Sequence, residues 1–545
     1  MKFRYPFPKP NWQTYRGAVL TAGAVLFWVL SVAVLTASVR GLPGNPNTDL
    51  LRRTEWRESG PLELSPERGR FALLYSMVED HSLHFSVDVA KMAVPDLAIN
   101  AVGEYVSLFA PAVSAIVIPG YVLGRAVGVA QVGAFSVISL LALFNMALIV
   151  SISRRLGASR FAGILAAAVF GFATPAFAYA VTLYQHHVST FLLLFSVWLI
   201  QRFRHPLAFA GVWFLAALSV VVDNPNVFLM FPVGLYALIL FVRTYRDRIS
   251  RNGKPFLHGF LYLLTFVVMA FPLGGFLWYN QVATGNPLQL PGTLRDVEEI
   301  GPDGRPVEVS AYERETGLAE DATERSAAST EKTAVGFFKT RNLYQGFFTH
   351  FVSRDRGIIF FTPVILLGIV GLVLLYRKET EWTALLIAII GVDVLLYSMW
   401  GDPWGGWAFG SRYLIPAYAI LAIGLSVALS RWRFRWVVVS LFVPLFLYSA
   451  WVNTLGAVTT SMIPPEKQVL VMEQQSGHEE KYTYMRSWEF LHEKYSSVGV
   501  KSFVYQAWAR GRMAPEAYFL SVYGAVSLTA LCAVLGLALE SRKRS

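Results

Sequence analysis

Long apolar runs separated by short polar turns dominate the sequence. Many of the runs extend for about 18 residues or more, enough to cross roughly 30 Å of hydrocarbon as an α-helix. The predicted spans lie near residues 17–39, within 105–152, and near 160–180, 188–202, 206–222, 227–243, 257–279, 357–376, 382–399, 414–430, 436–455 and 518–540. The pattern therefore predicts an all-α polytopic membrane protein with about twelve transmembrane helices.

Residues 105–152 do not fit a simple count of spans. They are long enough for two crossings, whereas the charge alternation described below allows only an odd number between the first outer loop and Arg154. We expect one full crossing plus a re-entrant or interfacial piece, with Gly120 and Gly124 near the break.

Composition supports a membrane protein. The 545 residues are 54% hydrophobic and only 15% charged, with a mean hydropathy of +0.46, whereas a soluble domain carries about a quarter charged residues. Cys532 is the only cysteine, so neither a disulfide within the chain nor a cysteine metal site is possible.

The net charge of +11 comes from basic residues in short loops between spans. Under the positive-inside rule these loops face the cytoplasm, which places both termini there in a plasma (inner) membrane. The clusters are Arg154-Arg155, Arg202 to Arg204, Arg243 to Lys254, Arg377-Lys378, Arg431 to Arg435 and Arg542 to Arg544. Because they form no continuous patch, no nucleic-acid partner is expected.

Three regions follow from this topology. Residues 1–455 form a transmembrane domain, with a first outer loop at 40–104 and a second, acidic outer loop at 280–355. Residues 456–517 mix aromatic and charged side chains and predict a small extracytoplasmic cap. Residues 518–545 form the last transmembrane helix and a basic cytoplasmic tail.

The first outer loop concentrates carboxylates: Glu67, Glu79, Asp80, Asp88 and Asp96. Apolar and polar positions alternate at helical spacing over 67–84, which predicts a helix lying in the membrane interface. A carboxylate held there can act as general base toward an acceptor while a lipid-linked donor remains in the bilayer. The alternative is a solvated loop with ordinary surface charges, and the residues alone favour neither.

Arginines just outside predicted spans are candidates for binding a lipid phosphate: Arg354, Arg356 and Arg412. Arginine at a membrane surface can simply extend its charge into water, or it can bind a phosphate with paired hydrogen bonds. The glycines around Arg412 favour a ligand site there. Trp404 belongs either to the interfacial aromatic belt, the commoner role, or to a wall on which a sugar stacks.

His186 and His187 lie at the outer end of a predicted span. Two histidines that share a metal on one helix need a spacing of three or four, and adjacent side chains point apart. A hydrogen-bonding role is therefore favoured over a metal site. Asp393 lies inside an apolar run, where an acid is a functional candidate by default.

Several motifs, taken in order, resemble prokaryotic GT-C glycosyltransferases, the relatives of protein O-mannosyltransferases and of the lipid A aminoarabinose transferase. The matching stretches cover roughly residues 15 to 455. They are Arg70-Phe-Ala-Leu, Val78-Glu-Asp, Asp96-Leu-Ala, Gly103-Glu-Tyr-Val-Ser, Ala110-Pro111, Thr174 to Tyr179 with His186, Tyr279-Asn280 with Gly285-Asn-Pro287, Arg356 to Pro363, and Trp404 to Leu414.

The resemblance implies a GT-C fold and an inverting transfer of a sugar from a polyprenyl-phosphate donor to an extracytoplasmic glycan, lipid or protein. It implies that Asp96 or Glu67 is the base, in an active site on the outer face. It also implies substrate contacts from Arg356, Arg412, Arg354, Tyr105, His186, His187 and Trp404. No cofactor is expected, and a divalent metal has weak support because the first-loop acid is not part of an acidic pair.

Relatives often read Lys-Ala-Pro-Gly where this chain reads Phe109-Ala-Pro-Ala112, so the arginines would have to hold the donor phosphate. Two rival interpretations stay open. A non-catalytic lipid or polysaccharide transporter or flippase would concentrate its charges near mid-membrane, whereas the acids here cluster outside. A structural subunit of an envelope-assembly complex would have the same fold without a base.

Overall fold

The computed structural model describes residues 12–57, 59–252, 255–307, 334–431, 436–478 and 499–541. Within these ranges the chain is mostly helical, and eight helices are long and apolar enough to cross a membrane. Three shorter apolar helices cover Arg160–Phe172, Pro206–Val222 and Pro363–Tyr376. The predicted class, a polytopic helical membrane protein, is confirmed, whereas the number of twelve crossings stays a prediction.

Some predicted features lie outside the described residues. They are the basic N-terminal segment before residue 12, most of the acidic stretch from 308 to 333, the basic residues 432–435 and 542–544, and the part of the cap from 479 to 498.

The first half of the chain contains fourteen helices among the described residues. Long apolar helices alternate with short ones that build the first outer loop. In order they are α1 (Trp12–Ser38), α2 (Thr48–Leu51), α3 (Ser65–Tyr75), α4 (Val87–Ala93), α5 (Ala112–Ile116), α6 (Ile118–Ala126), α7 (Ala130–Arg155), α8 (Arg160–Phe172), α9 (Ala176–Ala180), α10 (His186–Arg202), α11 (Pro206–Val222), α12 (Asn226–Asn252), α13 (Pro255–Leu264) and α14 (Ala270–Thr284).

The second half continues the bundle and ends in a long apolar helix. Its helices are α15 (Leu343–Phe351), α16 (Ile358–Phe361), α17 (Leu367–Tyr376), α18 (Thr380–Ser398), α19 (Ile415–Arg431), α20 (Trp436–Val458), α21 (Glu466–Ser476) and α22 (Pro515–Ser541).

Three short strands join the two large outer loops, a feature that the sequence did not predict. β1 (Leu97–Ile99) pairs antiparallel with β2 (Tyr105–Ser107) on one side and with β3 (Arg295–Asp296) on the other. Since β3 belongs to the second outer loop, the sheet fixes that loop against the segment that carries Asp96.

One full-length helix, α7, occupies the second half of the ambiguous stretch 105–152, and the short α6 folds back along it. The break between them lies at Gly128, which adopts a φ of 77°. Gly120 and Gly124 lie within α6, not at the break, and a Cβ at Gly120 would collide with the carbonyl of Gly133 in α7. These two glycines therefore permit close helix packing.

The helix of the first outer loop is buried on all sides. Residues 67–74 of α3 are all buried, because α3 packs against α4, α5 and β2. The chain continues from α3 as one π-helical turn, Ser76–Asp80. The predicted helix at 67–84 is thus present as far as Asp80, and its position relative to the bilayer interface stays a prediction.

Two contiguous apolar cores hold the described residues together. The larger one lies among the long helices, and the smaller one joins the first outer loop to α7, α11 and α14. Each burial contributes roughly 1.5–3 kcal/mol per large apolar side chain, before entropy is subtracted. Glu67 lies between Leu64, which belongs to the larger core, and Phe71, which belongs to the smaller one.

Candidate active site

Glu67 and Arg70 occupy the same face of α3, one turn apart. Residues at i and i+3 are neighbours on a helix surface, and both side chains are buried, with exposed fractions of 0% and 3%. Pro66 in the first turn fixes where the helix begins. The local sequence Ser-Pro-Glu-Arg-Gly-Arg therefore places a carboxyl group and a guanidinium group side by side inside the protein.

Glu67 has one carboxylate oxygen that is free to accept a proton. Its Oε2 accepts a hydrogen bond from the backbone N–H of Leu64 at 3.3 Å, whereas its Oε1 is buried without a hydrogen-bond partner among the described residues. Burial, and next the charge of Glu63, raise the pKa of Glu67 to about 8. A carboxyl group with these properties is suited to exchange a proton near neutral pH.

Arg412 precedes α19 and is 91% buried, with an exposed fraction of 9%. Its Nη2 donates to the carbonyl of Gly405 at 2.7 Å, and its guanidinium lies 5.0 Å from the ring centre of Tyr184. Its Nε and Nη1 make no well-formed hydrogen bond in the described part of the chain, and the guanidinium also lies 5.3 Å from the ring centre of Tyr413. A buried guanidinium with two open donors predicts an anionic ligand, because leaving such donors unsatisfied is costly.

Arg70 faces the same tyrosine as Arg412. Its guanidinium lies 5.6 Å from the ring centre of Tyr184 and 4.1 Å from that of Phe109. Nη1 donates to the carbonyl of Pro66 at 3.0 Å, and Nε has no partner among the described residues. Tyr184 is thus flanked by two guanidinium groups, which concentrates positive charge at one point of the site.

Two further carboxylates face these arginines. Burial raises the pKa of Asp96, while Ser65, Arg68, Arg70 and Arg412 act in the opposite direction. The Asp96 Oδ2 atom is buried without a partner in the described ranges. The sequence-predicted acids Asp96 and Glu67 therefore belong to one cluster.

Asp223 is the second of these carboxylates. It directly follows α11, and its Oδ2 accepts a hydrogen bond from Gln185 at 3.2 Å. Burial raises the pKa of Asp223, and the charges of Arg70 and Arg412 oppose that shift. Acids on three separate segments thus surround the arginine pair.

Aromatic rings line the cluster. His186 stacks on Tyr184 with ring centres 5.7 Å apart, and Tyr179 meets both rings edge-on. Tyr413 contacts His186 edge-on and stacks on Tyr397 at 4.4 Å. Such a wall is suited to a sugar ring, whose C–H face packs against aromatic groups while its hydroxyls need polar partners.

Arg356 is buried like Arg412, but its donors are occupied. Its Nε donates to the carbonyl of Trp404 at 3.1 Å, and its Nη2 donates to Gly406 at 2.9 Å and to Ile463 at 2.8 Å. These bonds hold the glycine turn whose Gly405 carbonyl accepts from Arg412. The structure thus gives Arg356 a supporting position behind the cluster.

The other sequence-predicted residues lie at different positions. Arg354 is exposed, and Tyr105 donates from its hydroxyl to the carbonyl of Gly304 at 2.9 Å, within the sheet region. Trp404 is half-buried, with the Lys467 ammonium 5.9 Å above its ring. Of the predicted set, Glu67, Asp96, His186 and Arg412 come together, and the roles of all the predicted residues stay predictions.

His187 and Asp393 both bind neighbouring backbone. His187 Nε2 lies 2.7 Å from the carbonyl oxygen of Ala176, and its own carbonyl accepts from Asn145 at 3.0 Å. Asp393 Oδ2 accepts from the backbone N–H of Ala417 at 3.1 Å, in the first turn of α19. Asp393 therefore caps a neighbouring helix, because the first N–H groups of a helix lack partners within it.

The cluster contains residues that the sequence reasoning did not select. Arg70 was detectable, since it lies three residues after Glu67 on a predicted helix. Tyr184 and Asp223 each lie in a predicted outer turn, but nothing local shows that the two turns meet. Among the described residues, no group of three or more His, Cys, Asp or Glu side chains is positioned to hold a metal ion.

The fold and the cluster define the class: a multi-pass helical membrane protein with a buried site of acids, arginines and aromatic rings. Among solved structures, the chain is similar to ArnT from Cupriavidus metallidurans bound to undecaprenyl phosphate, at 13% identity and a TM-score of 0.46. It is also similar to ArnT from the same organism in the apo state, at 13% identity and a TM-score of 0.41. In both comparisons the match covers 96% of this chain and 77% of the other.

ArnT is a lipid A aminoarabinose transferase, a GT-C enzyme. No protein-family model matches this chain, and no curated protein matches it.

Proposed function

We propose that the protein is an inverting GT-C glycosyltransferase that moves a sugar from a polyprenyl-phosphate donor to an extracytoplasmic acceptor. The observation that carries the proposal is the buried Arg412, whose two open donors lie beside Tyr184 and Arg70, in the cluster that also contains the acid Glu67. A glycosyl transfer in which phosphate is the leaving group requires at least an anion-binding group next to a proton acceptor.

The two arginines would bind the donor phosphate. Guanidinium groups match phosphate oxygens with paired hydrogen bonds, and Arg412 offers Nε and Nη1 for this purpose. Arg70 adds a second positive charge on the other side of Tyr184. The pair takes the place of the lysine that relatives often carry before Ala-Pro, where this chain has Phe109.

An apolar cavity lined by Leu414, two residues after Arg412, would hold the lipid tail. Its volume is about 600 Å³, and it lies among α17, α18 and α19. The cavity extends along α17 from Leu366 to Arg377, a rise of about 17 Å. A ligand with a phosphate at the arginines and a long hydrocarbon chain fits both surfaces.

Glu67 would act as the base in a single displacement. An acceptor hydroxyl oxygen attacks the anomeric carbon as the carbon–oxygen bond to the phosphate breaks. The hydroxyl proton passes to Oε1 of the ionised Glu67. The polyprenyl phosphate leaves, and Arg70 and Arg412 stabilise its negative charge. Asp96 and Asp223 would hold the arginines in place, since they face both guanidinium groups.

The reaction would take place on the extracytoplasmic side of the plasma (inner) membrane. The support is the charge pattern. The helices α7, α10 and α17 each end at a basic loop, at Arg154-Arg155, Arg202 to Arg204 and Arg377-Lys378. The cluster residue His186 lies at the other end of α10, so the positive-inside rule favours the extracytoplasmic side for the cluster. The acceptor can be a glycan, a lipid or a protein.

The test is donor consumption by the purified protein in detergent or nanodiscs. We expect it to release polyprenyl phosphate from at least one member of a panel of polyprenyl-phosphate sugars when membrane extract supplies the acceptor. Glu67→Gln should abolish release, and Asp88→Asn is the matched control, because Asp88 is an exposed acid of the same loop. Equal activity of wild type and Glu67→Gln would contradict the proposal.

A further inference from the structure

A second charged network adjoins Glu67, and it includes the C-terminal cap segment. Glu63 is fully buried. Its Oε1 accepts a hydrogen bond at 2.6 Å from Nη1 of Arg40, just after the end of α1, and its Oε2 accepts one from the ammonium group of Lys501. The Thr460 hydroxyl and the Ser461 backbone N–H also donate to Glu63, each at 2.6 Å. Three segments, at Arg40, at Thr460 with Ser461, and at Lys501, thus converge on one carboxylate.

The network is sealed from solvent. The side chains of Arg40 and Glu63 have an exposed fraction of 0%, and that of Lys501 has 1%. Arg40 also donates to the carbonyl of Gly456 at 2.7 Å and to the Ser461 hydroxyl at 2.9 Å. Charges in such surroundings act on each other more strongly than surface charges, because water does not screen them.

Glu67 lies within the field of this network. Glu67 Oε2 accepts a hydrogen bond from the backbone N–H of Leu64, the residue that follows Glu63, at 3.3 Å. The charge of Glu63 raises the pKa of Glu67, and the charges of Arg40 and Lys501 lower it. Tyr179 and Tyr184 face Glu67 from other elements, and Arg68 lies next to it on α3. Among the described residues, Arg40 and Lys501 each form an ion pair with Glu63, and neither forms one with Glu67.

We propose that Glu63 and Lys501 are positioning residues that set the charge state of Glu67, so that the cap segment carrying Lys501 is part of the catalytic machinery. The inference rests on the proposed role of Glu67 as the base. Lys501 favours the ionised form of Glu67, and ionised Glu63 opposes it. Removing either charge therefore changes the pH at which Glu67 becomes a base, and the two changes have opposite signs.

The experiment compares pH–rate profiles of wild type, Lys501→Met and Glu63→Gln, with polyprenyl-phosphate sugar as donor. We expect the acidic limb of the Lys501→Met profile to move up by about one pH unit, and that of Glu63→Gln to move down by a similar amount. Lys501→Arg keeps the charge and should restore the wild-type limb. A role confined to folding would lower the rate without opposite shifts.

Glu63→Gln leaves Arg40 and Lys501 buried without their carboxylate, and this variant can fail to fold. The double variant Glu63→Gln/Lys501→Met removes one charge of each sign, and its limb should lie near that of wild type. Identical limbs for Lys501→Met and wild type would overturn the inference.

Infrared titration of the Glu67 carboxyl group separates this inference from the proposed function. The signal is the difference between each protein and the same protein carrying Glu67→Gln. Opposite shifts of the Glu67 titration in a protein that transfers no sugar would refute the proposed function and support the coupling. Transfer activity with an unshifted titration would refute the coupling alone.

Discussion

At the scale of single residues, the site is defined by polar atoms that are buried without partners. Most buried polar groups in folded proteins are hydrogen-bonded, so exceptions indicate strain, a function or a missing ligand. Glu67 Oε1, Asp96 Oδ2 and the Nε and Nη1 atoms of Arg412 are such exceptions among the described residues. They occur within one cluster, which is why they indicate a ligand site.

Arg412 is buried with two open donors, whereas Arg354 is exposed, and this difference can be tested. We expect Arg412→Lys to lower transfer by about 10- to 100-fold, because lysine offers a single charge in place of a planar pair of donors. Arg354→Lys should have little effect, since Arg354 is exposed. Transfer rates at saturating acceptor measure both; a loss for Arg354→Lys equal to that for Arg412→Lys would argue against Arg412 as the phosphate ligand.

Glu67 is expected to lower stability while enabling activity. Burial raises its pKa from 4.5 to about 8, so the folded protein binds its proton more tightly than the unfolded chain does. The stability that this proton provides is complete below pH 4.5 and is lost as the pH rises through 8.

Glu67→Gln should therefore stabilise the protein, by roughly 3 kcal/mol at pH 7, while abolishing transfer. The melting temperature in detergent, measured between pH 5 and 9, checks this. The difference from wild type should grow with pH, and a variant that is less stable than wild type at pH 9 would show that Glu67 is not held in a desolvated environment.

At the scale of elements, the sequence determined which segments are helical better than how they pack. The apolar runs predicted the long helices because hydrocarbon leaves backbone groups no partner outside the helix. The break at Gly128 and the packing role of Gly120 were not predictable from hydropathy, since they depend on the contact between α6 and α7. The three strands escaped prediction because each is only two or three residues long.

The apolar cavity among α17, α18 and α19 gives an element-scale prediction. Gly391 on α18 lines it, and a Cβ there would meet no atom within 4 Å. Gly391→Phe should therefore fold normally and fill the cavity, raising the KM for long-chain polyprenyl donors by about tenfold or more while leaving short-chain analogues less affected.

Gly524→Phe is the matched control, because Gly524 lies on α22 and a Cβ there also meets no atom within 4 Å. KM values for donors with long and short chains measure the effect. An unchanged KM for the long-chain donor in Gly391→Phe would remove the cavity from the donor path.

At the scale of the whole molecule, the site depends on contacts between segments far apart in sequence. Glu67 and Asp96 could be selected from sequence because they lie in one loop of unusual acid content. The convergence of Asp223, Tyr184 and Arg412 on that loop could not be predicted from the sequence, because each residue lies in a separate turn of ordinary composition. Lys501 had no local signal at all, because its partner Glu63 is more than 400 residues away.

The charge pattern predicts the orientation of the protein in the membrane, and cysteine labelling tests that prediction. In a Cys532→Ser background, Asp88→Cys should react with a membrane-impermeant maleimide in intact cells lacking an outer permeability barrier. Lys378→Cys should react only after lysis. Both positions are exposed, so accessibility within the fold does not limit either reaction; the reverse labelling pattern would place the site on the cytoplasmic side.

The central claim is that Arg412, Arg70 and Glu67 form one site for a lipid phosphate and its reacting sugar. The most direct measurement is a cryo-electron microscopy map of the protein with polyprenyl phosphate bound in nanodiscs. The account predicts phosphate density against Nε and Nη1 of Arg412, with the isoprenoid chain continuing past Leu414 into the apolar cavity. Phosphate density at the exposed Arg354, or at the basic loops near Arg154 and Arg377, would contradict it.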